Sequence, residues 1–284
     1  QMLKVYKNIP DVHKELEKLK SYWQSRMGNL LVDTPDADMN SMLNVWNPYN
    51  CFITYYWSRA ASLVYSGARD GLGYRDTVQD ILGVLHQIPG EVVERLELMI
   101  TGQVSNGGAM PVVKPFSHYP GKEKAPKAGE YRSDDALWLF YTIPEYVKET
   151  GDIEFYRKVL PYADQGSDTV LGHLKRAIEF SLERSGDHGL TCGLSADWND
   201  CIELGYHGET VFVTFQLRFA LKTYMEICSL LQIESEHKWA HQALNILDEN
   251  IKKYAWDGDW FLRAYRYDGL KFGSRENEEG KIFL

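Results

Sequence analysis

An all-α protein built from two concentric layers of helices, an α/α toroid or barrel, is the architecture this 284-residue sequence predicts. Three observations carry that expectation. Apolar residues recur at helical spacing along most of the chain. Strand-like stretches are few and short. Some helical stretches are apolar nearly all round and others on one face only, as inner and outer layers require.

The first helix is expected over 11–27, where Val12, Leu16, Leu19 and Trp23 recur with Lys and Glu between them. Met42, Leu43, Val45 and Trp46 continue helical packing. The stretch 51–65 is apolar on nearly every side except at Thr54, Ser58, Arg59 and Ser62, which is the pattern of a buried helix. Further helices are expected over 77–86, 90–101, 134–150, 153–162, 167–184, 210–231 and 236–254. Strand signals are confined to 110–113 and to 260–267, the latter leading into Asp268-Gly269 and so into a small hairpin. The stretch 114–130 carries Pro115, Pro120, Gly121, Pro126 and Gly129, which exclude regular structure and predict a long loop of the kind that tends to carry function.

With 44% hydrophobic and 25% charged residues, the composition is that of a soluble globular protein with one large domain. A net charge of -9 argues against a nucleic-acid or anionic-membrane partner, since either needs a clustered Lys/Arg face. Cys51, Cys192, Cys201 and Cys228 form no CxxC pair and no Cys/His spacing suited to zinc, so no metal site and reduced thiols in a cytoplasmic protein are expected. No run of about 18 apolar residues appears, and Gln1-Met2-Leu3-Lys4 lacks the layout of a secretory signal; a protein that is not exported is expected. The last residues, Ile282-Phe283-Leu284, are apolar, and the natural protein is expected to continue past them. Eight Trp and 18 Tyr supply flat rings with polar edges, which suit either sugar faces or a helical core.

Two segments concentrate chemistry. Between Trp57 and Asp76 lie Arg59, Arg69, Asp70, Arg75 and Asp76 beside an apolar helix and a glycine-rich turn. A buried arginine must pair or line a wet cavity, so this cluster is either a structural Arg–Asp knot or a set of groups that pair with sugar hydroxyls. The second segment, Gly193 to Cys201, crowds Asp197, Trp198, Asn199 and Asp200 into a loop between helices. Here the alternatives are capping of the following helix and catalysis. The glycines at 67–73 follow no strand, so neither a P-loop nor a dinucleotide turn is supported, and no GxSxG, HExxH or GKS/T pattern is present.

Three runs, taken together, resemble a known family. WSRAASLVYSGARDGLGYRDTVQDILGV resembles the start of the catalytic domain of the inverting β-glycoside phosphorylases of glycoside hydrolase family 94, the cellobiose and chitobiose phosphorylases. YRSDDALWL resembles their next block, and ADWNDC their acid loop, in family order and over most of the chain. The resemblance implies an (α/α)6 barrel, of which this chain holds about the first half, with 1–36 as the linker helix and 37–284 as the N-terminal part of the catalytic barrel. It also implies a preceding β-sandwich, absent from this sequence, and a homodimeric full-length protein. Position by position, it implies that Arg59, Arg69, Arg75 and Asp76 hold the non-reducing sugar, with Trp198 beside them. Asp200 matches the general acid, Asp197 is structural, and Tyr131, Arg132, Asp134 and Asp135 help to shape the site.

The activity so implied is phosphorolysis of a β-linked glucose or N-acetylglucosamine disaccharide to an α-sugar 1-phosphate and a free sugar. Inorganic phosphate is the co-substrate and no cofactor is needed. The acid must carry a proton when substrate is bound, which burial of Asp200 near Trp198 and other carboxylates would favour. The phosphate-binding residues of the family lie past Leu284. An inverting hydrolase, which would need a second carboxylate to activate water, and a non-catalytic sugar-binding fragment are the alternatives. The wording GLGYRDT and GETVF is closer to the chitobiose-type members than to the cellobiose-type.

Overall fold

The computed structural model describes residues 6–58, 71–278 and 280. Helices dominate: α1 (Ile9–Met27), α2 (Ala37–Ser41), α3 (Asn47–Trp57), α4 (Tyr74–Leu82), α5 (Pro89–Ile100), α6 (Leu139–Thr150), α7 (Val170–Glu183), α8 (Val211–Leu231) and α9 (Glu234–Asn250). Short antiparallel pairs join them. β1 (Leu72–Gly73) pairs with β2 (Val112–Val113), and β3 (Val159–Pro161) with β4 (Ser167–Thr169). β5 (Glu209–Thr210), β6 (Ala264–Tyr265) and β7 (Lys271–Phe272) form a three-stranded ribbon. The all-α expectation holds at the level of class.

α8 is the centre of the core. Its buried residues, among them Val213, Leu217, Ala220, Leu221 and Tyr224, fall on several sides of the helix, and α6, α7 and α9 pack around it. Thr210 starts it: the Thr210 Oγ1 accepts a hydrogen bond from Val213 N at 3.4 Å, satisfying one amide of the open first turn. α7 is capped in the same way by Thr169, whose Oγ1 accepts from Gly172 N at 3.0 Å.

Several expected elements are revised. The helix expected over 51–65 is described only as far as Trp57, where Ser58 turns left-handed (φ 49) and closes it, and only Pro48, Phe52 and Tyr55 of α3 are buried. Tyr56 and Trp57 are exposed, so the described part of this helix is one-sided and not fully enclosed. Met42–Trp46 is a π-helical turn, and Met42, Leu43, Val45 and Trp46 all reach solvent. In α1 no residue is buried, and only the Trp23 end packs on the core, its ring 6.1 Å from that of Phe52.

The helix expected over 153–162 is a 3-10 turn, Ile153–Arg157, followed by β3. Pro161 cannot donate to a helical ladder, and Gly166 at φ 75 turns the chain back so that β4 occupies the start of the helix expected over 167–184. The helix expected over 134–150 opens with a 3-10 segment, Asp135–Trp138. The expected hairpin near the end is β6–β7, turning at Gly269 (φ 85).

Two features place the site. β1 sits against β2, and Tyr74 N donates to Pro111 O at 3.1 Å, which fixes the first turn of α4. Gly71 takes φ 116, a conformation that favours glycine, and a side chain there would meet the Val112 side chain at 2.1 Å.

Candidate active site

The second and third motif segments are stitched together through their backbones. Arg132 and Leu194 form an isolated antiparallel bridge, Ser195 N donates to Tyr131 O at 3.1 Å, and Ser133 N donates to Ala196 O at 3.0 Å. Tyr131 is buried beneath this seam, where its hydroxyl accepts from Asn106 Nδ2 at 3.0 Å and its ring lies 5.3 Å from Phe180. Tyr131 therefore supports the loop from below.

Arg75, in the first turn of α4, joins all three segments. Its Nη1 donates to Asp134 Oδ1 at 3.0 Å and to Asp197 O at 2.7 Å, and its Nη2 donates to Asp200 Oδ1 at 2.8 Å. Its side chain is 7% exposed and that of Asp134 is fully buried. Burial alone would lower the Arg75 pKa, but Asp134 and Asp200 beside it raise it above the ordinary arginine value, so the guanidinium stays charged. Asp134 Oδ2 in turn accepts from Trp138 Nε1 at 2.9 Å.

Asp200 sits at the mouth of this cluster. Its side chain is 56% exposed, which overturns the expectation that burial near Trp198 surrounds it; Trp198 is itself 52% exposed. Arg132 Nε approaches the same Oδ1 at 3.5 Å. Both cationic contacts converge on Oδ1.

Neither aspartate of the loop caps a helix, because turns follow and the next helix is capped by Thr210. Asp197 is buried and structural in its contacts. Its Oδ2 takes a hydrogen bond from Thr210 Oγ1 at 2.7 Å and an ion pair from Arg263 Nη2 at 2.6 Å, and its Oδ1 accepts from Asn199 N at 2.7 Å. Asp76 turns back toward the start of α4: a side chain on Gly73 would come within 2.5 Å of Asp76 Oδ2. A carboxylate there complements the positive end of the helix.

Asp135 is fully buried, and among the described residues neither carboxylate oxygen has a hydrogen-bond partner. Burial, with Asp134 and Asp76 adding to it against Arg132 and Arg75, pushes its pKa well above the carboxylate range. The folded chain therefore holds Asp135 protonated while the unfolded chain ionises it above about pH 4. Unfolding releases a proton, so this residue's contribution to stability is present below pH 4 and is lost as pH rises toward its raised folded value. Asp135→Asn is expected to flatten the decline in stability between pH 4 and pH 7, read from urea midpoints of the full-length protein at the two pH values.

Arg59 and Arg69 lie outside the described residues. The structure brings Arg75, Arg132, Asp134, Asp135, Asp200 and, at the edge, Trp198 into one locality. Arg263 was missed by sequence reasoning because a lone arginine in a short hairpin carries no motif. Beside Asp200 opens a polar cavity of about 800 Å³, bounded by the 193–206 loop and by Arg266 and Tyr267. Among the described residues no group of three His, Cys, Asp or Glu side chains is placed to hold a metal ion.

Scaffold and site together define an all-α protein whose guanidinium–carboxylate cluster opens, at Asp200, on a polar cavity. Residues 22–284 match the family described as the glycosyl hydrolase 94 superfamily, catalytic domain, and the chain belongs to that family. It is similar to the N,N'-diacetylchitobiose phosphorylase of Vibrio furnissii, with 35% identity over 98% of this chain and 37% of that protein. The N,N'-diacetylchitobiose phosphorylase of Vibrio proteolyticus is 33% identical over 98% of this chain and 37% of its own length. The solabiose phosphorylase of Paenibacillus borealis is 29% identical over 90% and 31% respectively. The chain thus spans just over a third of the length of the first two of these relatives.

Proposed function

We propose that the full-length protein is an inverting β-glycoside phosphorylase. It converts a β-linked disaccharide of glucose or N-acetylglucosamine type, with inorganic phosphate, into an α-sugar 1-phosphate and a free sugar. The observation that carries this reading is the setting of Asp200: Oδ1 is engaged by Arg75 and Arg132, and the residue borders a polar cavity, in a chain whose family match covers residues 22–284.

In this reading the Asp200 carboxyl gives its proton to the glycosidic oxygen as the bond from that oxygen to the anomeric carbon breaks. A phosphate oxygen forms the new bond from the opposite face, which turns a β-linkage into an α-phosphate, and the proton leaves on the free sugar. Because phosphate is already a competent nucleophile, a single acid suffices and no second carboxylate is needed to activate water. Sugar hydroxyls entering beside Arg75, Arg132 and Trp198 share the guanidinium hydrogen bonds that Asp200 now receives, since hydroxyls both donate and accept. Arg59, Arg69 and Asp76 complete the sugar-binding set in the same proposal, with Tyr131, Asp134 and Asp135 holding it in shape.

The proposal includes an (α/α)6 barrel of which residues 37–284 are the N-terminal part and 1–36 the leading helical segment. It further includes a cytoplasmic, homodimeric protein that uses no cofactor. No described helix is long and apolar enough to cross a membrane. The similarity to two chitobiose phosphorylases favours an N-acetylglucosamine disaccharide as the first substrate to try. Incubation of the full-length protein with chitobiose and cellobiose, with and without inorganic phosphate, tests the reading. Sugar 1-phosphate formed only with phosphate supports it; equal sugar release without phosphate makes the enzyme a hydrolase.

A further inference from the structure

The cavity beside Asp200 has a wall that the reading above does not use. Tyr267, at the tip of the β6–β7 hairpin, is 70% exposed, and its backbone N donates to Leu204 O at 2.9 Å. Its inner face lies against Gly205, where a side chain would meet Tyr267 Cδ1 at 2.6 Å, and Gly205 takes φ 75. The ring therefore packs against a glycine and lines the cavity while staying largely exposed, with the Arg266 guanidinium 5.9 Å from its centroid. An aromatic ring fixed in this way offers an apolar platform with a polar edge, the complement of one face of a sugar ring.

The charges on the same wall are nearly all matched. Arg266 grips Asp268 side-on, Nε to Oδ1 at 2.9 Å and Nη2 to Oδ2 at 2.5 Å, and Asp268 is thereby held at a pKa of about 2. Asp197 is matched by Arg263. Glu203, exposed on the wall, has no ion-pair or hydrogen-bond partner among the described residues. The charge left to a ligand here is negative.

We infer that this cavity seats the leaving sugar, with the Tyr267 ring as its stacking platform and Glu203 as an acceptor that selects a neutral sugar over an acidic one. The inference rests on Asp200 being the acid, since the sugar that receives its proton must lie on Asp200's open side. A uronate or aldonate would bring a second negative charge beside Glu203 with no unmatched cation among the described lining residues to receive it, and like charges at such range repel.

The test measures binding of N-acetylglucosamine, glucose and glucuronate to the full-length protein by saturation-transfer NMR and titration calorimetry, with Tyr267→Ala, Tyr267→Phe and Glu203→Gln alongside. Tyr267→Ala is expected to weaken neutral-sugar binding about tenfold and Tyr267→Phe to preserve it. Glucuronate is expected to bind about tenfold less well than the neutral sugars, a gap that Glu203→Gln narrows. An unchanged melting temperature shows that the exposed substitution leaves the fold intact. Neutral-sugar binding in Tyr267→Ala within about twofold of the parent, no neutral-sugar binding in either protein, or glucuronate bound as well as glucose would overturn the inference. Turnover by Asp200→Asn separates the two readings: undiminished turnover removes the acid assignment, whereas lost turnover with Tyr267→Ala inert removes only the cavity assignment.

Discussion

Asp200→Asn in the full-length protein is expected to lower kcat for disaccharide phosphorolysis by about a thousandfold, within the 10²–10⁴ that a positioned general acid supplies. KM should change little. The amide is isosteric with the carboxyl, keeps an oxygen for Arg75 and Arg132, and cannot give up a proton to the glycosidic oxygen. Because Asp200 is half exposed and its contacts are at the mouth of the cluster, the folded state should survive the change. Steady-state release of sugar 1-phosphate, with a melting curve on the same sample, is the measurement. A loss of only a few fold would assign the proton transfer elsewhere.

Arg75→Ala is expected to be costly in both stability and activity. The guanidinium is the common partner of Asp134, the Asp197 carbonyl and Asp200, and so holds α4, the 131–135 segment and the acid loop in register. Without it, Asp134 is left buried without its cation, keeping the Trp138 Nε1 donor. Breaking a buried ion pair from one side costs about 3–5 kcal/mol. A fall of that size in the urea unfolding free energy is expected, together with loss of turnover. Arg75→Lys should recover the charge without recovering three partners at once, because an ammonium lacks the planar fork. A variant as stable and as active as the parent would show that the three segments are held together by their backbone seam alone.

The sequence made some of this legible for physical reasons that can be named. α8 was readable because 21 consecutive helical residues with strong apolar content leave little alternative. The expected start at 210 turned out to be its capping threonine. The stretch 153–162 was misread as a helix because its apolar spacing outweighed Pro161 and the turn at Gly166, signals that carry a hairpin when strands are only three residues long. The apolar run from Cys51 suggested enclosure on every side, yet Tyr56 and Trp57 reach solvent; periodicity reports amphipathicity and not what lies opposite.

Within the site, the proximity of YRSDD to ADWND could not be computed from spacing, since it arises from a bridge between residues 62 apart in sequence, Arg132 and Leu194. It entered through resemblance and the geometry then supplied the physical link. The burial assigned to Asp200 failed because an acid beside an indole in sequence need not be covered by it: both side chains are more than half exposed. Asp134, Asp135 and Asp197 are the buried carboxyls of the site, and nothing in the sequence around Asp135 signals that its two oxygens lack hydrogen-bond partners among the described residues.

Whether Asp200 protonates the leaving oxygen is decided by the dependence of the Asp200→Asn defect on leaving-group acidity. Rates of the parent and the variant are compared on the natural disaccharide and on aryl β-glycosides of the same sugar with progressively better leaving groups, each with phosphate. A defect of about a thousandfold is expected on the disaccharide, shrinking toward parity on a dinitrophenyl glycoside, whose leaving group departs without a proton. A defect of the same size on every substrate would contradict proton transfer from Asp200 and make it a binding residue.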